Sequence, residues 1–487
     1  MAKKSIENRK NARSRSVGTA EFKELMSKNW DKQPALGRGL GADFIPEKHF
    51  ASLRRAKLSE AFLGDRLIIE AGYPKTRSND TDYRFRPNTT FIHLTGLGVD
   101  FEPGAVLVFD PITIRTKGAK PHHTHICTLY IDPLKGYDST EFYTSPSRGE
   151  FWIGQRPSLA DFEEATGIKV KDKAQMKQDL KKPILPPHKT RTISQTKTNN
   201  KLLEFTSEMR LVKDSYEIDQ MRKAIGATKD GFVRVLRNLS HAKTAKRGER
   251  IIEGEFFANA IEQGNSLGYE TIAAAGEHAT TLHWINNNGE VKDGELLLLD
   301  AGVELDSLYT ADITRTFPIN GSFNKWQRDI YQLVLNAADA AFLIAKPGVK
   351  FRDIHDKAME VIAQGLIDLG ILKVSLEEAL SKKGQQHRRW MCHGTSHHLG
   401  IDVHDCAYAR EQEYKNGVLK PGMIFTIEPG LYFKSNDLLV PAQYRGIGVR
   451  IEDDILITET GAENLSIGIP RAAEHLEAWM KELVHGG

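Results

Sequence analysis

Five side chains in the second half of the chain have the types and settings of metal ligands: Asp300, Asp312, His397, Glu428 and Glu452. Asp300 ends the run 296–299, four leucines between Gly294 and Gly302 that read as a strand buried on both faces. A carboxylate at the end of such a strand is costly to bury unless a cation or a hydrogen-bonding partner satisfies it. Asp312 follows twelve residues later in YTADITRTF. Strand alternation there puts Thr310, Asp312, Thr314 and Thr316 on one polar face and turns Ile313 and Phe317 the other way. Glu428 closes MIFTIEPG, where Pro429 and Gly430 turn the chain. Glu452 lies in GVRIEDD, two residues from Arg450 and so on its face. The histidines are the sharpest local signal. His393, His397, His398 and His404 fall within HGTSHHLGIDVHD, beside Gly394, Gly400, Asp402 and Asp405. A hydrogen-bonded histidine loop is the plainer alternative for this stretch, and the carboxylates around it weigh against that.

Four carboxylates and one imidazole make a hard, oxygen-rich donor set. It suits manganese, and after it cobalt or iron, better than structural zinc. Four negative charges also exceed what one divalent ion needs. Two ions sharing carboxylates, at roughly 3.5–4 Å separation as in two-metal hydrolases, would use them all and make a bridging water acidic enough to supply hydroxide at neutral pH.

An α/β (α+β) frame has to bring these residues together. In the second half, Asp214 with Glu217 three residues on reads as a helix start. Ile218, Met221, Ile225, Thr228, Phe232, Val235 and Leu239 continue it as one mostly apolar stripe. Further helices are expected over 324–345, stopped by Pro347-Gly348, and over 352–369. Strands are expected over 296–299, 309–317, 424–428 and 449–457. Helix and strand thus alternate in two batches around residue 320, which implies two similar halves. The first part of the chain reads as a smaller α/β domain, with a helix over 53–63 and strands over 66–71, 91–94, 105–109 and 128–131. There His122, His123 and His125 have no carboxylate or cysteine at ligand spacing and read as a polar loop entering a strand. The lysine-rich stretch 169–201 reads as that domain's outer edge or a connecting strip. Three segments result: a basic, flexible tail over 1–47, the smaller domain over 48–205 and a catalytic domain over 206–487.

Bulk figures exclude several classes. At 487 residues, 40% hydrophobic and 27% charged, the chain suits two soluble globular domains. No apolar run approaches the roughly 20 residues that span a bilayer. Basic residues near the start have no apolar stretch behind them, unlike a secretory signal. Cys127, Cys392 and Cys406 are too few for a disulfide framework and fit a reducing cytoplasm. A net charge of +3 points to neither nucleic acid nor membrane.

Taken together, DAGVELDSLYTADITRTFP, HGTSHHLGIDVHD, TIEPGLY and YRGIGVRIEDD resemble the catalytic domain of the Xaa-Pro aminopeptidases (aminopeptidase P). These are pita-bread metallopeptidases of family M24B, related to prolidase and methionine aminopeptidase. The resemblance spans about residues 206–475, and DYRFRPNTTFIHLTG resembles the family's creatinase-like amino-terminal domain. It implies that Asp312 and Glu452 bridge both metals, that Asp300 completes the second metal's shell, and that His397 and Glu428 complete the first's. Glu428 is further implied as the base that handles the water's proton. His283, in TTLHWINNN, would line the substrate site with His393 and His404 and donate to the scissile carbonyl and its oxyanion. That role for His283 rests on resemblance alone. Arg450 would orient a ligand from behind.

The implied reaction removes the amino-terminal residue from peptides whose second residue is proline. Such a bond is a tertiary amide without an N–H, which general peptidases exclude. The implied assembly is a homodimer or homotetramer. One departure is visible: the family spaces its two aspartates one residue closer than the twelve found here. In a continuous strand an extra residue would turn Asp312 to the wrong face, so the insertion is expected in a turn over 302–307. Prolidase, which cuts Xaa-Pro dipeptides only and shares the ligands, is the closest alternative. A non-catalytic peptide- or protein-binding module on the same fold is another.

Overall fold

The computed structural model describes residues 18–30, 46–79, 81–99, 102–115, 122–133, 135–154, 156–184 and 186–485. The chain divides into two compact units, Met1–Thr206 and Ser207–Gly487. Of the tail expected over 1–47, residues 1–17 and 31–45 lie outside the described residues. Within it Ala20–Ser27 form a helix, whose first turn is capped by the Thr19 side chain.

In the first unit the strands are β1 (Arg66–Glu70), β2 (Thr76–Ser78), β3 (Thr81–Asp82), β4 (Val106–Ile114), β5 (His122–Ile131), β6 (Lys169–Asp172) and β7 (Thr190–Ile193). Among the described residues five of them form one sheet in the order β6-β5-β4-β1-β7, with the β5–β6 and β1–β7 pairs parallel. Both edge strands come from the lysine-rich stretch, which is therefore the outer edge of the sheet.

Two local expectations are corrected here. Residues 91–94 are helical, inside Thr89–Thr95, because Asn88 caps that helix and Gly96 ends it in the left-handed region at φ 74°. The apolar run reads as a strand only if those two punctuating residues are overlooked. His122, His123 and His125 lie within β5, not in a loop before it. The β4–β5 ladder continues outward from the buried Leu107↔Leu129 pair to Ile114↔His122, so the strands outlast the apolar core. His125 uses both ring nitrogens, on Ser59 Oγ at 2.8 Å and the Asp65 carbonyl at 2.7 Å.

The second unit holds the carboxylates. Its strands are β8 (Ser266–Leu267), β9 (Ile272–Ala275), β10 (Leu296–Ala301), β11 (Val303–Glu304), β12 (Ile313–Pro318), β13 (Ile424–Ile427), β14 (Gly430–Tyr432), β15 (Gly448–Arg450), β16 (Asp453–Ile457) and β17 (Ala462–Asn464). They pair as β12-β10-β9 and β13-β16-β17, with short ladders β8–β11 and β14–β15, all antiparallel. The helices Ser215–Arg237 and Gly248–Gln263 pack together before the first three-stranded sheet, and Lys325–Ile344 and Phe351–Asp368 before the second. Each half thus supplies a helix pair and a three-stranded sheet, as the alternation implies. Capping boxes at Asp214 with Glu217 and Asn324 with Gln327 start two of these helices. One apolar core joins both halves, from Phe232 and the four leucines of β10 to Phe425 and Ile455. Among the described residues no helix is long and apolar enough to cross a membrane.

Two strand boundaries also move, and both matter for the site. The strand expected over 309–317 begins only at Ile313; Thr310 makes an isolated bridge to Glu304. The strand expected over 449–457 breaks between β15 and β16, at Ile451 and Glu452. The stretch expected as a turn over 302–307 holds the short strand β11 and then enters a tight loop over 305–309. There Leu308 N–H donates to the Leu305 carbonyl at 2.8 Å and Leu305 N–H to the Tyr309 carbonyl at 3.0 Å. Leu308 closes it in the left-handed region at φ 68°, which costs a branched residue roughly 1–2 kcal/mol; full burial of its side chain offsets this.

Beside this loop, Gly302 admits no side chain: a Cβ there would lie 1.7 Å from the Ala311 carbonyl oxygen. That atom is backbone in the strand approach to Asp312 and has nowhere to go. Gly302→Ala is therefore expected to cost at least ~2 kcal/mol and to lower the melting temperature by several degrees in calorimetry. An unchanged melting temperature would contradict the close approach.

Candidate metal centre

Four of the five residues stand at or beside the end of a strand of the second unit, and His397 lies alongside one. Asp300 stands one residue before the end of β10, and Asp312 one residue before β12 begins. The β10–β12 register sets Asp300 opposite Thr314, so both aspartates return to the same end of the sheet. Glu428 directly follows β13. His397 lies on the stretch alongside that strand: Thr426 N–H donates to the His397 carbonyl at 2.9 Å, and Glu428 N–H to the Thr395 carbonyl at 2.8 Å. Glu452 sits at the break between β15 and β16, where its N–H donates to the Thr314 carbonyl at 3.1 Å.

The side chains converge. His397 Nε2 is 3.2 Å from Asp312 Oδ2 and 3.6 Å from Glu428 Oε1. One ligand atom each from Asp312, His397 and Glu452 lie within 4.8 Å of one another. Asp300 joins this group through Tyr269, whose hydroxyl is 2.6 Å from Asp300 Oδ1 and 2.5 Å from Asp312 Oδ1. Arg450 reaches the centre from behind. Its guanidinium pairs with Asp300 Oδ2, donates to Thr314 Oγ1 at 3.1 Å and donates to the Tyr432 hydroxyl at 3.0 Å. Thr314 in turn donates to Glu452 Oε2 at 2.6 Å.

Three further histidines border this cluster. His393 has Nε2 at 2.8 Å from the Tyr432 hydroxyl and Nδ1 at 2.8 Å from the Gly394 carbonyl, with Glu428 Oε2 at 3.5 Å. The ring of His404 stands edge-on to that of His397, centroids 4.4 Å apart. His283 is exposed, on the loop after β9, close enough for its charge to disfavour protonation of both His393 and His404.

Burial and like charge dominate the electrostatics. Burial, with Asp312 and Glu428 beside it, pushes Glu452 well above the carboxylate range. Burial also raises Asp300, against the pull of Arg450. Glu428 is pushed up to about 7 by burial, with His397 opposing and Asp312 adding to the rise. Burial works against a charged His397, yet Asp312 and Glu428 hold it up at about 9. His393 is pushed down to about 3 by burial and Arg450, and burial lowers His404 too. Three buried carboxylates that resist ionising beside a histidine that resists neutrality describe a centre short of positive charge.

Several contributors have no single-residue signal in the sequence. Tyr269 is a lone tyrosine between two short strands, and nothing local marks it. Tyr432 shares the parity of Glu428 and Gly430 across β14, a signal that alternation could have supplied. Asp454 is fully buried, and its Oδ2 accepts the Asp312 N–H at 3.2 Å. Arg315, on the opposite face of β12, pairs with Asp453 at 2.7 Å and donates to the Glu452 carbonyl at 2.6 Å, fixing the break that presents Glu452.

Comparison with known proteins agrees with this geometry. Residues 219–459 match the metallopeptidase family M24 model, and residues 51–192 match the model of the aminopeptidase P amino-terminal domain. Xaa-Pro aminopeptidase 1 of Streptomyces coelicolor is 44% identical over 441 residues, 88% of this chain and 86% of that protein. The chain belongs to the aminopeptidase P family of M24 metallopeptidases. Its Escherichia coli relative, also an Xaa-Pro aminopeptidase, is 31% identical over 90% of this chain and 98% of its own length. Solved structures of Escherichia coli aminopeptidase P superpose with a TM-score of 0.73 at 30% identity over 90% of this chain and 98% of theirs; one is a glutamate-to-alanine variant in complex with substrate. The fold is accordingly the pita-bread metallopeptidase fold behind an aminopeptidase P amino-terminal domain. Family membership brings with it a requirement for divalent metal ions.

Proposed function

We propose that Asp300, Asp312, His397, Glu428 and Glu452 hold two divalent metal ions, with manganese the first choice and cobalt the second. The convergence of Asp312, His397 and Glu452 within 4.8 Å carries this reading. The donor set fits such ions: four carboxylates face one guanidinium and one imidazole, a deficit of positive charge that dications relieve. When bound, the metals would supply Lewis acidity and an acidic water.

The chain's own residues would do the rest of an Xaa-Pro aminopeptidase reaction, the activity its family membership carries. Glu428, whose Oε1 lies 3.6 Å from His397 Nε2 at the cluster, would accept a proton from the attacking water and pass it to the departing prolyl nitrogen. Like any amide nitrogen it leaves as a neutral amine only once protonated, here as the secondary amine of proline. His404 and His283 would donate to the scissile carbonyl and its developing charge. His393, with both ring nitrogens engaged, would join them once its Gly394 contact opens. Arg450, through Asp300 and Thr314, orients two of the carboxylates. The 206–487 segment would carry this chemistry, behind the 48–205 domain and the 1–47 tail, in a cytoplasmic homodimer or homotetramer.

Prolidase uses the same ligands, so substrate length separates the two readings. Metal-stripped protein, with manganese, cobalt and zinc returned separately, is to be assayed on an Xaa-Pro-Xaa tripeptide and the matching Xaa-Pro dipeptide. Manganese is expected to restore the most tripeptide cleavage, with the dipeptide a poor substrate. Turnover of dipeptides alone would overturn the aminopeptidase reading.

A further inference from the structure

Glu249, near the start of the Gly248–Gln263 helix, is fully buried and takes no part in the centre described above. Each of its carboxylate oxygens accepts two hydrogen bonds. Oε1 takes Ala275 N–H at 2.8 Å and His278 Nδ1 at 2.7 Å. Oε2 takes Trp284 Nε1 at 2.9 Å and Gly289 N–H at 2.6 Å. The His278 and Trp284 rings stack at 3.8 Å, tilted by 21°. Three of these four donors belong to the 276–289 loop, which carries His283. The fourth belongs to β9.

β9 is an edge strand in the sheet order β12-β10-β9, so its outward N–H groups have no strand to bond. Glu249 satisfies Ala275. Asn287, from the far end of the same loop, satisfies the next one: its Oδ1 accepts Ala273 N–H at 3.0 Å, and its Nδ2 donates to the Thr271 carbonyl at 2.8 Å. Two buried side chains therefore stitch the loop to the open edge of the sheet whose next strand presents Asp300. Gly289 is part of the device, since a Cβ there would meet His278 at 2.7 Å and Glu249 at 2.9 Å.

We propose that Glu249 is a positioning residue for the peptidase reaction, clamping the 276–289 loop to the β9 edge so that His283 is held at a fixed reach from the centre. This rests on the reading that His283 contacts the substrate. A carboxylate suits the task because four donors converge on it, and only an anion offers acceptors in all four directions. In Glu249→Gln an NH2 group would face two of those donors and push that side of the loop away.

The test is a double-mutant cycle on the full-length, metal-loaded protein, with kcat and KM for an Xaa-Pro-Xaa peptide, bound metal and melting temperature measured throughout. Glu249→Gln is expected to keep full metal content and to lose about 10- to 100-fold in kcat, the scale of an ångström-sized misplacement. In the His283→Ala background the same change is expected to cost less than about twofold. A full further loss in that background, or unchanged kcat in the wild-type background, overturns the proposal. A lowered melting temperature with unchanged kcat also overturns it, since that is the mark of a purely structural carboxylate. If His283→Ala alone leaves turnover intact, the reading of His283 fails first and takes this one with it. Should Glu249→Gln not fold, Trp284→Phe removes one donor while keeping the ring stack. It is expected to lose several-fold in kcat by the same cycle, and no loss would overturn the proposal.

Discussion

Glu452→Ala and Asp312→Ala are each expected to lower kcat/KM for an Xaa-Pro-Xaa peptide by about 10³-fold or more, the scale on which groups that act as a unit fail together. Both side chains belong to the tightest cluster of ligand atoms, and both are fixed by contacts that would survive the other's loss: Thr314 holds Glu452, and Tyr269 holds Asp312. Metal content measured on the same samples is expected to fall with activity. Stability should move the opposite way. In the metal-free protein Glu452 is a buried carboxylate pushed far up by burial and by Asp312, so its removal relieves a strained site. Glu452→Gln, which keeps the volume and the Thr314 contact, is accordingly expected to melt higher than the parent when both are metal-free, while being inactive. Most of the turnover surviving in either alanine variant would refute the metal-holding roles.

Removing the metals is expected to abolish turnover and, above about pH 6.5, to make stability fall as pH rises; below that His393, pushed down to about 3, works the other way. Burial raises Glu428 from 4.5 to about 7, and Asp312 and Glu428 raise His397 from 6.5 to about 9. In both cases the folded chain holds its proton more tightly than the unfolded chain, so each group makes stability decline as pH rises through its own interval. The contribution from Glu428 is fully present below pH 4.5 and lost as pH climbs through 7; that from His397 is lost between 6.5 and 9. For Glu428 the shift corresponds to on the order of 3 kcal/mol. Metal binding reverses the slope, because the ligands must give up those protons to coordinate. Apparent metal affinity should therefore rise with pH across the same interval, with protons released on binding. Titration calorimetry in buffers of different ionisation enthalpy reads that release directly. An affinity that does not change between pH 5 and pH 8 would contradict the site's electrostatics.

The residues whose role is local were readable before any fold was known. Asp214 and Asn324 start helices as capping residues wherever the helix lies, and the four leucines before Asp300 form a doubly buried strand from composition alone. Asp300 and Glu428 stood out as carboxylates closing apolar runs, Asp312 and Glu452 by the polar face they share with Thr310 and Arg450, and His397 by its histidine cluster, each a statement about a few neighbours. The same local reading misjudged residues 91–94, where an apolar run outweighed Asn88 and Gly96, and it ran β15 and β16 together.

Tertiary structure alone decided which atoms meet. Thr314 donates to Glu452 across 138 residues, Arg450 reaches Asp300 across 150, and Tyr269 bridges two aspartates 31 and 43 residues away. Periodicity reports the face a side chain occupies, and it carries no information about which distant strand lies opposite. That depends on ladder register, on the break at Ile451 and Glu452, and on the loop at Leu308 between the two aspartates. Chemical type and local setting named Asp300, Asp312, His397, Glu428 and Glu452 as a donor set; the antiparallel return of β10 on β12, and of β13 on β16, made them one buried centre.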